Sequence, residues 1–305
     1  MSETAKVCEN VFGAPLAELV GVSADAVQFS PLAPGAQALE DVAPGSLGSL
    51  AMLAPAGAIE RRYALALALR ALAPDAQLTV LAPKDKGGAR LAKELSEFGC
   101  AFTEEARRHH RICRAHGPAE PSAIAAAIEA GAPRFVEAVG LWSQPGVFSW
   151  NRVDPGSALL LAHLPRFAGR GADFGCGLGA LGKAALAAPQ VATLAFVDAD
   201  RRAVAMAARN VVDPRAQFLW ADARRTDLAG LDFIVSNPPF HEAGVEDRQL
   251  GQSFIQSAAR ALRKGGALWL VANRHLPYEA VLQAAFGRTE TVASEGGYKI
   301  FRAQA

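Results

Sequence analysis

Gly169-Arg170-Gly171-Ala172-Asp173-Phe174 runs into Gly175-Cys176-Gly177-Leu178-Gly179 and then into an Ala- and Leu-rich segment from Ala180 to Ala188. The first six residues read as a strand and the last nine as a helix. Glycines at such a junction let the backbone approach a ligand closely, and a helix N-terminus offers free N–H groups. Strand, glycine turn and helix in that order predict an α/β fold with a largely parallel sheet, whose ligands bind at the C-terminal edge of the strands.

The spacing Gly177-x-Gly179-x-x-Gly182 also satisfies the dinucleotide fingerprint. Asp173 weighs against that reading. A carboxylate at the end of the first strand would repel a pyrophosphate but would suit the ammonium of a zwitterionic amino-acid tail, as in S-adenosylmethionine (SAM). Leu194 to Asp198 is the next strand, and Asp198 falls about twenty residues after the glycines, the place for a ribose diol. Asp200 reads as the N-cap of a helix from Arg201 to Asn210. Gln217 to Trp220 is a third strand, followed by Asp222, a candidate acceptor for an adenine amino group. An acid after each of three successive strands is more telling than any one acid.

The strand Asp232 to Ser236 delivers Asn237-Pro238-Pro239-Phe240. Two prolines fix their φ angles and lack N–H groups, so the strand ends there and the loop is stiff. A carboxamide held at the strand edge can position a planar amino group. Downstream, the pattern predicts a helix from about Glu246 to Leu262, a turn at Arg263 to Gly266, and a strand Ala267 to Ala272. Two terminal strands, Thr289 to Ala293 and Lys299 to Ala303, are joined at Gly296-Gly297.

The 305 residues suffice for two domains, and 51% are apolar. No apolar run reaches the roughly 18 residues of a membrane span, and no signal peptide precedes the first domain, so the expected location is the cytoplasm. Cys8, Cys100, Cys113 and Cys176 lack CxxC spacing and predict reduced thiols, with neither disulfide nor zinc site. A net charge of +1 means that any RNA is bound by local patches.

Met1 to Pro55 reads as short strands and turns. A helix from Ile59 to Leu72, a strand from Gln77 to Ala82 and a helix from Ala89 to Phe98, stopped by Gly99, suggest a first α/β domain. No glycine-rich loop follows a strand in it, so it is expected to bind no cofactor. His110, Cys113 and His116, spaced by three, mimic metal ligands, but four neighbouring arginines would repel a cation. A solvated loop or edge element is the plainer reading, and a phosphate contact lies between. Pro118 to Pro133 reads as a helix-containing linker with the domain boundary at Ala132. Gly146 to Ser149 and Asp154-Pro155-Gly156, ahead of a helix from Ser157 to Leu164, read as ordinary loop and capping chemistry.

Through Asp173 to Gly179, Asp198, Asp222 and Asn237 to Phe240, the second domain resembles the class I SAM-dependent methyltransferases. Gly146-Val-Phe-Ser149, Ser236 to His241, Val271 to Asn273, Leu276 to Tyr278 and Tyr298 to Arg302 resemble the bacterial ribosomal RNA guanine-N2 methyltransferases of the RsmC type. Lys84 to Gly99 and Ala106 to Arg108 extend the likeness into the first domain. The resemblance implies two Rossmann-like methyltransferase domains in tandem. Residues 1–132 would be degenerate, and residues 133–305 catalytic, on a seven-stranded sheet with one antiparallel strand near an edge. It implies SAM as cofactor, held by Asp173, Gly175, Gly177, Gly179, Asp198 and Asp222. The partner would be ribosomal RNA, as the 16S RNA of the small subunit.

Asn237 and the Pro238 carbonyl would each accept one N–H of the guanine amino group, while Phe240 stacks on a base taken out of its RNA stack. His241 could assist, or have no role. Asn-Pro-Pro-aromatic turns also serve methyltransferases acting on 23S guanines, protein glutamines and DNA adenines. A non-catalytic ribosome-assembly factor is a reading of another class, disfavoured by the intact Asp173, Gly175, Gly177, Asp198 and Asn237. An oxidoreductase is weaker still, for want of a hydride-transfer group.

Overall fold

The computed structural model describes residues 7–117, 119–239, 241–242, 245–246 and 248–305. The chain divides into two compact units, Met1–Ala132 and Pro133–Ala305.

The first unit contains β1 (Cys8–Phe12), β2 (Val22–Gln28), β3 (Leu47–Leu53), α1 (Ala58–Ala71), β4 (Leu72–Pro83), α2 (Leu91–Glu97), β5 (Ala101–Arg107), β6 (His110–His116) and α3 (Pro121–Gly131). Its six strands lie in the order β2-β1-β3-β4-β6-β5. The first four are parallel, and β6 runs antiparallel to both β4 and β5. In α1 the run Tyr63 to Ala68 is buried without a break, because one side faces the sheet and α3 packs on another. A helix that is apolar nearly all round belongs inside a core.

Two expectations change here. Arg107 closes the edge strand β5 and Arg108-His109 make a turn, but His110 to His116 is neither loop nor edge: β6 lies inside the sheet, with Ile112 and Cys113 fully buried. Side chains alternate across a strand, so Cys113 faces away from His110 and His116, and the three cannot converge on a metal. Two of the nearby arginines, both on β6, are paired with acids of β5, Arg111 with Glu104 at 3.2 Å and Arg114 with Glu105 at 2.8 Å. Pro118 to Pro133 is likewise no linker, since α3 buries Ala127 in the first unit's core.

The second unit begins with a small hairpin, β7 (Arg134–Val136) and β8 (Leu141–Ser143). It continues with α4 (Pro155–His163), β9 (Gly169–Phe174), α5 (Ala180–Leu186), β10 (Val191–Asp198), α6 (Arg201–Asn210), β11 (Ala216–Trp220) and β12 (Leu231–Ser236). After a short ladder of β13 (His241–Glu242) and β14 (Val245–Glu246) come α7 (Arg248–Ala261), β15 (Leu262–Asn273), α8 (Glu279–Ala285), β16 (Arg288–Glu295) and β17 (Tyr298–Gln304). The main sheet has seven strands in the order β11-β10-β9-β12-β15-β17-β16. Only β17 opposes the rest, pairing antiparallel with β15 and β16. Arg263 to Gly266, expected as a turn, is absorbed into β15 as an irregularity, with Gly265 at φ +81°.

The two sheets share one plan. Removing the outer strand β11 from the second leaves the strand order and directions of the first. Apolar clusters cover both faces of the seven-stranded sheet, one holding Phe174, Ile234 and Leu270 and the other Phe196, Val235 and Val271. Full burial of each such side chain contributes about 1.5–3 kcal/mol. This packing holds the C-terminal ends of β11, β10, β9 and β12 in one row.

Candidate active site

Register places the site residues side by side. Phe174 pairs with Val197 on one flank and Ser236 on the other, and Asp198 pairs with Trp220. The residues just beyond these pairs are Gly175 to Gly179, Asp198 to Asp200, Asp222 and Asn237, all on one edge.

Gly175, Gly177 and Gly179 have φ of +73°, +52° and +84°. At Gly179 a β-carbon would also come within 3.1 Å of the Ala207 Cβ, whereas at Gly177 it would meet open space. The second glycine therefore has no described atom within 4 Å on that side. The Gly177 N–H donates to Asp198 Oδ2 at 2.9 Å, and the Asp200 N–H donates to Asp198 Oδ1 at 2.9 Å. Burial raises the Asp198 pKa to about 6 despite these bonds. Asp200 caps α6 as expected, accepting from the Arg202 N–H at 2.9 Å.

Asp173 is fully buried behind the loop. Its Oδ2 accepts from the Gly182 N–H at 2.8 Å, while Oδ1 has no partner among the described residues. Desolvation raises its pKa to about 7, against the Gly182 bond and with a further push from Asp198. Cys176, in the loop, is raised well above the usual thiol value by burial and by both acids, and stays protonated. Asp222 is more committed than its sequence position suggests. It caps the turn Ala223–Arg225 and accepts from the Arg224 N–H at 2.9 Å and Arg224 Nε at 2.9 Å. Burial opposes its ionisation, and Arg224 more than offsets this, so its pKa is lowered.

The Ser236 hydroxyl ties the end of β12 to the Phe174 carbonyl at 2.7 Å. The next residue, Asn237, is half-buried, Pro238 buried and Pro239 exposed. A β-carbon on Gly175 would lie 3.7 Å from the Asn237 carbonyl, so the turn and the glycine loop adjoin. Asn237 Nδ2 donates to Asp154 Oδ2 at 2.8 Å and to Ser157 Oγ at 2.8 Å. Asp154 and Ser157 belong to the site, although in the sequence they read only as the start of a helix. The loop before them takes part as well, because Val147 is buried against Leu178 of the glycine loop. Phe240 lies outside the described residues, as does the His241 side chain.

The first sheet has the same edge with different residues. Phe12 pairs with Met52 as Phe174 pairs with Ser236, so Gly13 stands where Gly175 does, Val11 where Asp173 does and Leu53 where Asn237 does. Gln28 fills the space beside Gly13, accepting from its N–H at 3.0 Å and donating to its carbonyl at 2.8 Å. Arg61 donates to the Pro55 and Ala56 carbonyls, at 3.2 and 2.8 Å, in the loop after β3. At this edge the chain's own side chains thus hydrogen-bond the backbone after β1 and β3.

A family model described as "Methyltransferase small domain" matches residues 138–302. A ribosomal RNA small subunit methyltransferase C from Pseudomonas paraeruginosa is 33% identical over 279 residues, which cover 89% of this chain and 83% of that protein. Its namesake from Shewanella baltica is 33% identical over 252 residues, 78% of this chain and 71% of the relative. Among solved structures, the T. thermophilus 16S rRNA N2 G1207 methyltransferase (RsmC), in complex with AdoMet and guanosine, matches with a TM-score of 0.71 and 26% identity. That match covers 94% of this chain and 78% of the other, and so spans both units. Together with the tandem sheets and the shared strand edge, these matches show that the chain belongs to the ribosomal RNA small subunit methyltransferase C family.

Proposed function

We propose that this protein transfers a methyl group from SAM to the exocyclic N2 of a guanine in the 16S ribosomal RNA of the small subunit, in the cytoplasm. The observation that carries this reading is the Asn237 carboxamide. Both N–H groups of its side chain are engaged inside the protein, by Asp154 and Ser157. Its oxygen remains as the acceptor at the strand edge beside the glycine loop.

The edge fits SAM in its chemistry. Asp173 has a buried oxygen without a donor among the described residues, and Asp198 is desolvated; both call for donors, which an ammonium and a ribose diol supply. Gly175, Gly177 and Gly179 give the backbone room for close approach, and Asp222 offers its remaining lone pairs to an adenine amino group. Bound there, SAM supplies an electrophilic methyl group.

A guanine amino nitrogen is a poor nucleophile because its lone pair is delocalised into the ring. Asn237 Oδ1 and the Pro238 carbonyl each accept one of its N–H groups, which directs the lone pair along one line. No strong base is needed, because the proton becomes acidic as the new bond forms. Rate comes from positioning and from acceptors placed where positive charge develops. Phe240 stacks on the extruded base. Residues 1–132, whose own edge is filled by Gln28 and Arg61, bind no cofactor and serve folding or RNA placement.

The test is incubation of the protein and of Asn237→Ala with radiolabelled SAM and unmodified small or large subunits, followed by mapping of the labelled nucleotide. Label on a guanine N2 of the small subunit is expected with the unaltered protein, and a rate lower by about a hundredfold to a thousandfold with Asn237→Ala. Label confined to the large subunit, or equal rates for the two proteins, would overturn the reading.

A further inference from the structure

We infer that Asp154 is a positioning residue that locks the Asn237 carboxamide with its oxygen toward the substrate amino group. The inference rests on the amino-group reading above and deepens it. A carboxamide has an accepting end and a donating end of nearly equal size. Turned the wrong way, Asn237 would present N–H groups to the N–H groups of the substrate. What prevents this is the chemistry of its neighbour. An ionised carboxylate only accepts, so the end of Asn237 that lies 2.8 Å from Asp154 Oδ2 is the NH2. Ser157 Oγ takes the other N–H at 2.8 Å, and no donor is left to point at the substrate.

Asp154 is itself held. Its Oδ2 also accepts from the Ser157 N–H at 2.7 Å as the N-cap of α4, and Pro155 occupies the first helical position. Gly156 leaves room for this approach, because a β-carbon there would crowd Asp154 Oδ2 at 3.2 Å and the Tyr298 ring at 3.0 Å. Capping alone would be served as well by serine, which could not span the distance to Asn237. The carboxylate does more than orient. A charge-assisted bond to Nδ2 polarises the amide and strengthens Oδ1 as an acceptor while positive charge develops on the attacked nitrogen.

Full-length Asp154→Ser, Asp154→Asn, Asn237→Ala and Asp154→Ser/Asn237→Ala are compared by single-turnover methyl transfer at saturating SAM, SAM titration and thermal melting. Asp154→Ser keeps the helix cap, and so the melting temperature and the SAM affinity, yet is expected to be slower by about tenfold to a hundredfold. Asp154→Asn retains a side-chain oxygen that can face Nδ2 but lacks the charge, and is expected to recover part of that loss. In the Asn237→Ala background, Asp154→Ser should have no further effect on rate. Asp154→Ser within twofold of the unaltered rate, beside a slow Asn237→Ala, would overturn the positioning role alone. A fast Asn237→Ala would sink the amino-group reading and the positioning role together.

Discussion

Asp154 Oδ2 and Asn237 Nδ2 lie 2.8 Å apart across 83 residues of chain. The two side chains act as one acceptor-donor pair, and any change at either position must be read as a change to both.

Asn237→Asp is a case where this pair alters the expectation. Taken alone, the substitution keeps an acceptor and should retain more activity than Asn237→Ala. Beside Asp154 it places two carboxylates in contact, and one of their pKa values must rise. The variant is expected to work best at acid pH, where the pair shares a proton, and to fade as pH rises through the upper apparent pKa. Asp154→Asn/Asn237→Asp restores a donor between the two positions and should remove that pH dependence. Single-turnover rates from pH 5.5 to 8.5 for both variants check this; equal profiles would contradict it.

Asp198→Ala should weaken SAM binding by about 1–3 kcal/mol, the cost of removing a charged acceptor from hydroxyl donors. The strand that carries Asp198 is packed by Phe196 and Val197, both fully buried, so the fold should persist. Calorimetric titration with SAM is the measurement, and unaltered affinity would remove Asp198 from the site.

The raised pKa values of Asp173, about 7, and Asp198, about 6, carry a sign. Folded carboxyls that hold protons more tightly than the unfolded chain favour folding at acid pH, and this contribution is lost as pH rises from about 4 through about 7. Asp173→Asn removes one such charge and keeps an acceptor for Gly182. Its melting temperature relative to the unaltered protein should therefore be higher at pH 7.5 than at pH 5. SAM favours the ionised forms, so its affinity should increase between pH 5 and 7 with proton release, measurable by calorimetry in two buffers of different ionisation enthalpy.

In the first unit, Arg61 and Glu94 form a buried ion pair at 2.7 Å, with side chains 2% and 7% exposed. Glu94→Ala leaves a guanidinium buried without its countercharge, and should cost about 3–5 kcal/mol in urea unfolding of that unit. Replacing both, as Arg61→Met/Glu94→Leu, should recover most of the loss. SAM affinity should be unmoved by either variant, because the residues proposed to hold the cofactor belong to the second unit.

The strand-loop-helix order from Gly169 to Asn210 was legible because each signal is local. Glycines at positive φ, a capping aspartate and an apolar run are properties of neighbours in the chain. Asp173, Asp198, Asp222 and Asn237 could be nominated for the same reason, since each ends or follows a strand. β6 was not legible. Its charged residues resemble a loop, and only the ladders to β4 and β5, with ion pairs to Glu104 and Glu105, make them strand. The helix of α3 was legible, but its burial was not, because that depends on α1.

Local spacing therefore determined the sheet class, the strand edge proposed to bind SAM and the residue types along it. Tertiary structure alone decided that Asp173 sits behind the loop, that Asp222 is shared with Arg224, and that Asp154 and Ser157 face Asn237. Periodicity records which face of an element is buried, but the partner that a polar side chain meets is set by packing between segments far apart in the chain. The direction of one carboxamide, on which the proposed chemistry depends, is settled only by that packing.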